Sequence, residues 1–353
     1  MNQERLDLYS DYLCATFGKA TATGLAAMLD DSISHDAITR FLAGPELTSR
    51  DLWRQVKPLV RQIEAHDGVL IFDDTVQAKP HMAENDLIAW HFDHTQGRAV
   101  KGINLLNCLY HAGGVSLPVA FELVRKDLRF CDLQTRQERR VSNVTKNEQM
   151  RAMLDACLHN QLTFHCVLFD SWFSSSDNMK HIKQVRRKDF IGALKSNRLV
   201  ALSEADRKQR RYTRVDQLDW SEQTAITGWL KDVDFPIRLA RQVFKNKDGS
   251  SGILYLAGSQ LDATWNDLTS TYQKRWQVEV FHKSLKSNAA FAKSPDHGVR
   301  TQANHLFASI VAVTKLEALK IRTKLNHFAL RAKLYLKATR IAFDELRVLR
   351  GSA

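Results

Sequence analysis

The chain has 353 residues, 44% hydrophobic and 25% charged, with 15 Gly and 6 Pro. This is the composition of an ordinary folded protein, and it excludes a disordered, collagenous or coiled-coil chain; at roughly 100–200 residues per domain the length predicts two or three domains. The net charge of +12 and a pI near 9.5 point to a polyanionic partner.

No apolar run approaches the roughly 20 residues that a membrane helix needs; the best, Leu306 to Val313, is less than half of that. The first residues lack a basic segment followed by an apolar one, so no secretory signal is expected. Cys14, Cys108, Cys131, Cys157 and Cys166 are scattered without a C-x-x-C pair. That usage fits reduced thiols, and the expected location is the cytoplasm.

In chain order, residues from about 3 to 65 read as helices. Leu6, Leu8, Tyr9, Tyr12 and Leu13 recur at helical spacing, and two short periodic stretches follow at Thr23 to Leu29 and Ser34 to Leu42. Ser34 suits an N-cap. The two stretches, joined by Asp30-Asp31-Ser32, fit either a DNA-reading helix-turn-helix or a plain helical bundle.

At Gly68 the texture changes. Val69-Leu70-Ile71-Phe72 reads as a buried strand ending in Asp73-Asp74-Thr75, and further strands are expected at Ile103 to Tyr110 and Ser116 to Leu123. A helix from Lys146 to Leu162 follows, then a buried strand, Phe164 to Phe169, that ends in Asp170. A helix at Ser174 to Arg187 and a strand at Phe190 to Leu194 complete the run. Three strands, helix, strand, helix, strand is the element order of the ribonuclease H-like fold, an α/β layer with a mixed sheet.

Residues 196–261 are rich in β-type alternation and read as an insertion, with a hairpin turn at Asn246-Lys247-Asp248-Gly249. One long helix is expected from Thr269 to Lys286 and another from Thr301 to Lys320, before a basic helical tail. The predicted organisation is a helical N-terminal domain at 1–66, an α/β core at 67–195 and 262–325 interrupted by the β-rich insertion 196–261, and a tail at 326–353. Charge is distributed unevenly over it. Met1 to Asp67 carries seven basic and ten acidic residues, whereas Thr271 to Ala353 carries sixteen basic and five acidic ones. Concentrating cations over some eighty residues suits a phosphate backbone.

Two of the buried strands end in aspartate, where side chains of an α/β sheet converge on a ligand. A third acid, Glu279, lies in a helix whose Tyr272, Arg275, Glu279, Lys283 and Lys286 step by three or four residues. Crowded carboxylates beside cations suit hard divalent ions and phosphoryl transfer, with the cations holding DNA phosphates.

Tyr272, Arg275, Glu279 and Lys286 also reproduce the pattern Y-x(2)-R-x(3)-E-x(6)-K, and here the chain resembles the bacterial insertion-sequence transposases with a DDE triad. Asp73-Asp74-Thr75 resembles their D-x-T motif, favouring Asp73 over Asp74. Asp170-Ser171-Trp172-Phe173 resembles the second motif, departing from its commoner D-G-Y form. The resemblance covers about Asp67 to Lys320. It implies that Asp73, Asp170 and Glu279 bind two Mg²⁺ ions, with Mn²⁺ able to substitute. It implies DNA contacts by Tyr272, Arg275, Lys283 and Lys286. The implied partners are double-stranded DNA, as the element's terminal inverted repeats and as target DNA, and a second copy in a synaptic homodimer. A bacterial, nucleoid-associated protein is implied as well. Some members stack a flipped base on tryptophan; Trp229, Trp265 and Trp276 are the candidates, with core packing as the alternative role.

Among competing readings, His91, Asp93 and His94 are fair zinc ligands, but no Cys or further His stands at helical spacing nearby. Neither a Walker loop nor G-x-G-x-x-G occurs. A nuclease or resolvase of the same fold would share all three acids, and a transposase-derived DNA-binding regulator would not need Glu279.

Overall fold

The computed structural model describes residues 2–93, 96–134, 136–245 and 248–351. Four capped helices come first. They are α1 (Gln3–Ala15), α2 (Ala22–Met28), α3 (His35–Leu42) and α4 (Ser49–Ile63). Asn2 caps α1, Thr21 caps α2, and Ser34 caps α3 as its sequence suggests. At the start of α4 the Asp51 carboxylate accepts from the Thr48 backbone N–H and hydroxyl. Leu52, Val56 and Val60 form the fully buried stripe of that helix.

The strands β1 (Val69–Ala78), β2 (Ala89–Asp93), β3 (Arg98–Ala112), β4 (Val115–Val124), β5 (Leu128–Asp132) and β6 (Gln137–Val141) follow. Next come α5 (Lys146–His159), β7 (Cys166–Phe169), α6 (Ser176–Lys180) running into a π-turn at His181–Val185, and β8 (Asp189–Leu194). The expected insertion contains β9 (Leu199–Ala201), α7 (Glu204–Lys208), β10 (Thr213–Arg214), β11 (Ala225–Leu230), β12 (Ile237–Lys245) and β13 (Ser251–Gly258). The helices α8 (Trp265–Gln273), α9 (Trp276–Asn288), α10 (Val299–Thr323) and α11 (His327–Gly351) close the chain.

One large mixed sheet runs β10-β9-β11-β12-β13-β8-β7-β1-β3-β2, with β4 also on β3. The pairs β1/β7 and β7/β8 are parallel and the remaining pairs antiparallel. This α/β architecture, with its parallel centre and antiparallel β1-β3-β4 wing, is consistent with the ribonuclease H-like layer expected from the element order. The β-rich insertion joins that layer, because β13 pairs with β8 and prolongs the same sheet. Its β12–β13 hairpin pairs to Lys245↔Ser251, and Gly249 takes the left-handed φ of +82° that its turn requires; Asn246 and Lys247 of the expected turn lie outside the described residues. The β5–β6 hairpin, which sequence patterning does not signal, pairs only with itself and is largely exposed.

Helix α10 is buried almost all round from Thr301 to Glu317. The first helices lie on it: Tyr9 Oη meets His305 Nδ1 at 3.0 Å, and Asn304 Nδ2 donates to Leu42 O at 2.8 Å. Helix α4 is tied to β4 through Ser49 Oγ, which donates to Phe121 O and accepts from Phe121 N. The hydrophobic core is thus continuous from α1 to α10. No helix among the described residues is long and apolar enough to cross a membrane.

The single helix expected from Thr269 to Lys286 is two. Between α8 and α9 the bonds Lys274 N→Thr271 O, Arg275 N→Tyr272 O, Gln277 N→Lys274 O and Val278 N→Arg275 O all span three residues instead of four. That tightening ends α8 at Gln273 and lets α9 begin at Trp276. Of the five residues expected on one face, Tyr272 lies on α8, Arg275 at the N-cap between the helices, and Glu279, Lys283 and Lys286 on α9.

Candidate active site

The strand β1 is wholly apolar and buried up to Phe72, and β7 likewise up to Phe169. The two lie parallel with Phe72 opposite Phe169. The next residue of each strand run is an aspartate, so Asp73 and Asp170 follow paired residues. Strand β1, expected to end at Asp73-Asp74-Thr75, runs on to Ala78 because β3 still pairs with it, whereas β7 ends at Phe169. Register across β7/β8 holds this end in place: Phe169 stands opposite Gly192, whose missing Cβ leaves room for the Phe169 ring. Asp170 turns back on itself, its Oδ1 accepting from Trp172 N at 3.0 Å and Phe173 N at 3.3 Å.

Helix α9 crosses above them. Opposite Asp73 on β3 stands Asn107, whose amide donates to His282 Nε2 at 3.0 Å. Burial drives the His282 pKa down to about 3, aided by Lys286 and Arg275. The ring is thus a neutral acceptor, one turn beyond Glu279. This bond clamps the helix that carries the third acid to the strand beside the first. Asp73, Asp170 and Glu279 all line one cleft of about 610 Å³, together with Arg275, Lys283 and Lys286.

The electrostatics are those of crowded acids. Burial pushes the Asp73 carboxyl up to about 7; Arg275 opposes this, and Asp170, Glu279 and Asp74 add to it. Burial also raises Asp170, against the two backbone donors and Arg275. Arg275 Nη1 lies 2.5 Å from Asp73 Oδ2, and Nη2 lies 3.7 Å from Glu279 Oε1. Asp74 is served separately: Lys146 Nζ at 3.0 Å and Asn104 Nδ2 at 2.6 Å both reach its Oδ2. Of the two adjacent aspartates, Asp73 shares Arg275 with Glu279, and Asp74 is neutralised by its own lysine.

Lys283 and Lys286 continue along α9 on the exposed side of the cleft, with Lys283 Nζ 5.3 Å from the Phe328 ring centroid. Tyr272 does not join them. It is buried on α8 with its ring 5.9 Å from the Arg275 guanidinium, and it lines a neighbouring groove with Trp276. Of the three tryptophans, Trp276 is 65% exposed, while Trp229 and Trp265 are half-buried and Trp265 Nε1 donates to Arg241 O. His91 is buried and its pKa falls to about 3, chiefly through burial; His94 of the zinc reading lies outside the described residues.

Sequence reasoning missed Asn107, His282 and Lys146. Lys146 Nζ also stands 4.7 Å from the Trp172 ring centroid, with Lys195 Nζ at 5.7 Å. One lysine thus bridges the strand carrying Asp73 and the turn carrying Asp170. Nothing in the local pattern distinguishes it, since its partners are remote in the chain.

The donor set suits a hard divalent cation: three carboxylates, no sulfur, and more negative charge than the one arginine balances. As they lie, no three His, Cys, Asp or Glu side chains among the described residues are grouped to hold an ion. Arg275 fills the space between Asp73 and Glu279.

An α/β sheet with one aspartate within a central strand, a second just past the end of the parallel neighbour and a glutamate on a helix of the same cleft offers a carboxylate set that suits metal-assisted phosphoryl transfer. The comparison with protein families agrees. A family described as DDE superfamily endonuclease matches residues 1–218, and one described as Transposase DDE domain matches residues 131–314. The chain belongs to the DDE superfamily of endonucleases and transposases, whose enzymes use divalent metal ions, typically Mg²⁺. Comparison with curated proteins finds no match.

Proposed function

We propose that this protein is a bacterial insertion-sequence transposase that cleaves DNA strands at the element's ends and joins the freed ends to target DNA. The observation that carries the reading is the presence of Asp73, Asp170 and Glu279 in one cleft, beside Arg275, Lys283 and Lys286.

The three carboxylates would hold two divalent ions, Mg²⁺ or in its place Mn²⁺, which when bound supply Lewis acidity at the attacking and leaving oxygens. Burial raises the proton affinity of Asp73, to about 7, and of Asp170, and an ion would bind the ionised carboxylates. Lys283 and Lys286 fix the backbone on the exposed side of the cleft, and Arg275 takes a phosphate oxygen nearer the acids. The site orients a water oxygen in line with the scissile phosphorus. The new P–O bond forms as the P–O3′ bond breaks, leaving a 5′-phosphate and a 3′-hydroxyl. In the second step that hydroxyl oxygen attacks a target phosphorus, its proton passes to solvent, and a target 3′-oxygen leaves.

The substrate on this reading is double-stranded DNA, first the terminal inverted repeats and then the target. Two copies form a synaptic homodimer in the bacterial cytoplasm, associated with the nucleoid. The helical segment 1–66 contributes to end recognition, and Tyr272 supports Arg275 from below.

The test is incubation of the protein and Mg²⁺ with DNA carrying the gene's own flanking ends. Cuts at the boundary with 3′-hydroxyl ends, followed by joined products, are expected. Cuts without joining would make it a nuclease, and binding with no cut by the folded protein would make it a regulator.

A further inference from the structure

Arg275 stands where an ion would have to go. Its Nη1 sits 2.5 Å from Asp73 Oδ2, and the other Asp73 oxygen accepts from Asp74 N at 2.8 Å. Its Nη2 reaches towards Glu279 Oε1 at 3.7 Å, so one guanidinium spans two of the three acids. The side chain is only 17% exposed. A guanidinium cannot give up its proton to make room. It can vacate the carboxylate only by turning away, and it needs another anion to turn to.

We propose that Arg275 competes with the divalent ion for Asp73. In the DNA-free protein the arginine holds the site; a DNA phosphate draws it off, so that ion and DNA promote each other's binding. This rests on the reading of Asp73 and Glu279 as ion ligands. The exchange is favourable because every charge keeps a partner: the doubly charged ion replaces the guanidinium on the acids, and the guanidinium grips a phosphate with its planar fork. By linkage, the factor by which DNA tightens ion binding equals the factor by which the ion tightens DNA binding. Without DNA the enzyme binds its metal weakly, and strand cleavage is confined to assembled complexes.

The experiment measures Mn²⁺ binding directly, by the loss of the free-ion electron paramagnetic resonance signal. The wild type is compared with Arg275→Met, Arg275→Gln and Asp73→Asn, each checked for a cooperative melt, without DNA and with a duplex whose end is already cut. Wild type should bind Mn²⁺ weakly alone and more tightly with the duplex. Arg275→Met should bind about tenfold or more tighter without DNA, the scale on which a neighbouring charge shifts a carboxylate's affinity for a cation, and should lose the enhancement by DNA. Arg275→Gln, which keeps hydrogen-bonding atoms, serves if the Met variant does not fold. If neither variant binds Mn²⁺ more tightly than wild type while Asp73→Asn abolishes binding, the competition is refuted and the ligand reading stands. Undiminished binding by Asp73→Asn would instead remove the ligand reading.

Discussion

Phe72 of β1 and Phe169 of β7 face each other in parallel register, and this pairing sets Asp73 beside Asp170. Both rings are fully buried. The acids thus inherit their spacing from packed strands, which keeps them together despite mutual repulsion.

That dependence can be measured. Phe169→Ala should cost about 3–5 kcal/mol in urea unfolding, as for other buried aromatic deletions. Gly192→Ala drives a methyl into the Phe169 ring and should cost roughly 1–3 kcal/mol by overpacking. Both should slow cleavage more than they weaken DNA binding, since the acids move and the cations do not.

Lys146 is expected to matter for both stability and rate. Its ion pair with Asp74 is mostly shielded, with side-chain exposures of 17% and 13%. Lys146→Met should cost roughly 1–3 kcal/mol by leaving Asp74 short of a partner. Adding Asp74→Asn should recover part of that in a double-mutant cycle, and Lys146→Arg should retain most activity. Additive losses would show that the two side chains do not act as a pair.

Stability should fall in acid for a definable reason. Burial holds His305 well below its ordinary value near 6.5, at about 4, so the unfolded chain takes up a proton between those values that the folded chain refuses. The contribution is present above pH 6.5 and is lost as pH falls through that value towards 4. Urea midpoints between pH 8 and pH 4.5 should drop across this window. In His305→Gln the protein should be weaker throughout but the pH slope shallower, with His282 and His91 supplying the remainder.

For DNA binding, Lys283→Ala and Lys286→Ala should each weaken affinity about equally for any sequence. Each should lower the slope of log affinity against log salt by about 1. A sequence-dependent loss would mean that a lysine reads bases.

The three acids that share the cleft were each marked in the chain. The runs Val69–Phe72 and Cys166–Phe169 are buried and apolar, so the aspartates that follow them stand out, although β1 itself continues to Ala78. Glu279 was marked by spacing. The break before α9 was not, because its three-residue backbone bonds leave side-chain periodicity unmarked; nor was the pairing of Arg275 with Asp73, 202 residues away. The same holds for Lys146 with Asp74, 72 residues apart, and for Asn107 with His282. The β5–β6 hairpin escaped because neither strand buries an alternating face. The D-x-T resemblance favours Asp73 over Asp74, whose side chain a one-residue step puts on the other face of the strand, and their partners differ: Arg275 for Asp73 and Lys146 for Asp74.

The most direct test of the central claim is the single-turnover cleavage rate of end DNA by Asp73→Asn, Asp170→Asn, Glu279→Gln and the triple variant, with Asp74→Asn alongside. Groups that act as one unit fail together. Each single variant should fall to the background of the triple, with Asp74→Asn retaining cleavage. A fully active Asp73→Asn, or an Asp74→Asn as dead as the triple, would contradict the assignment.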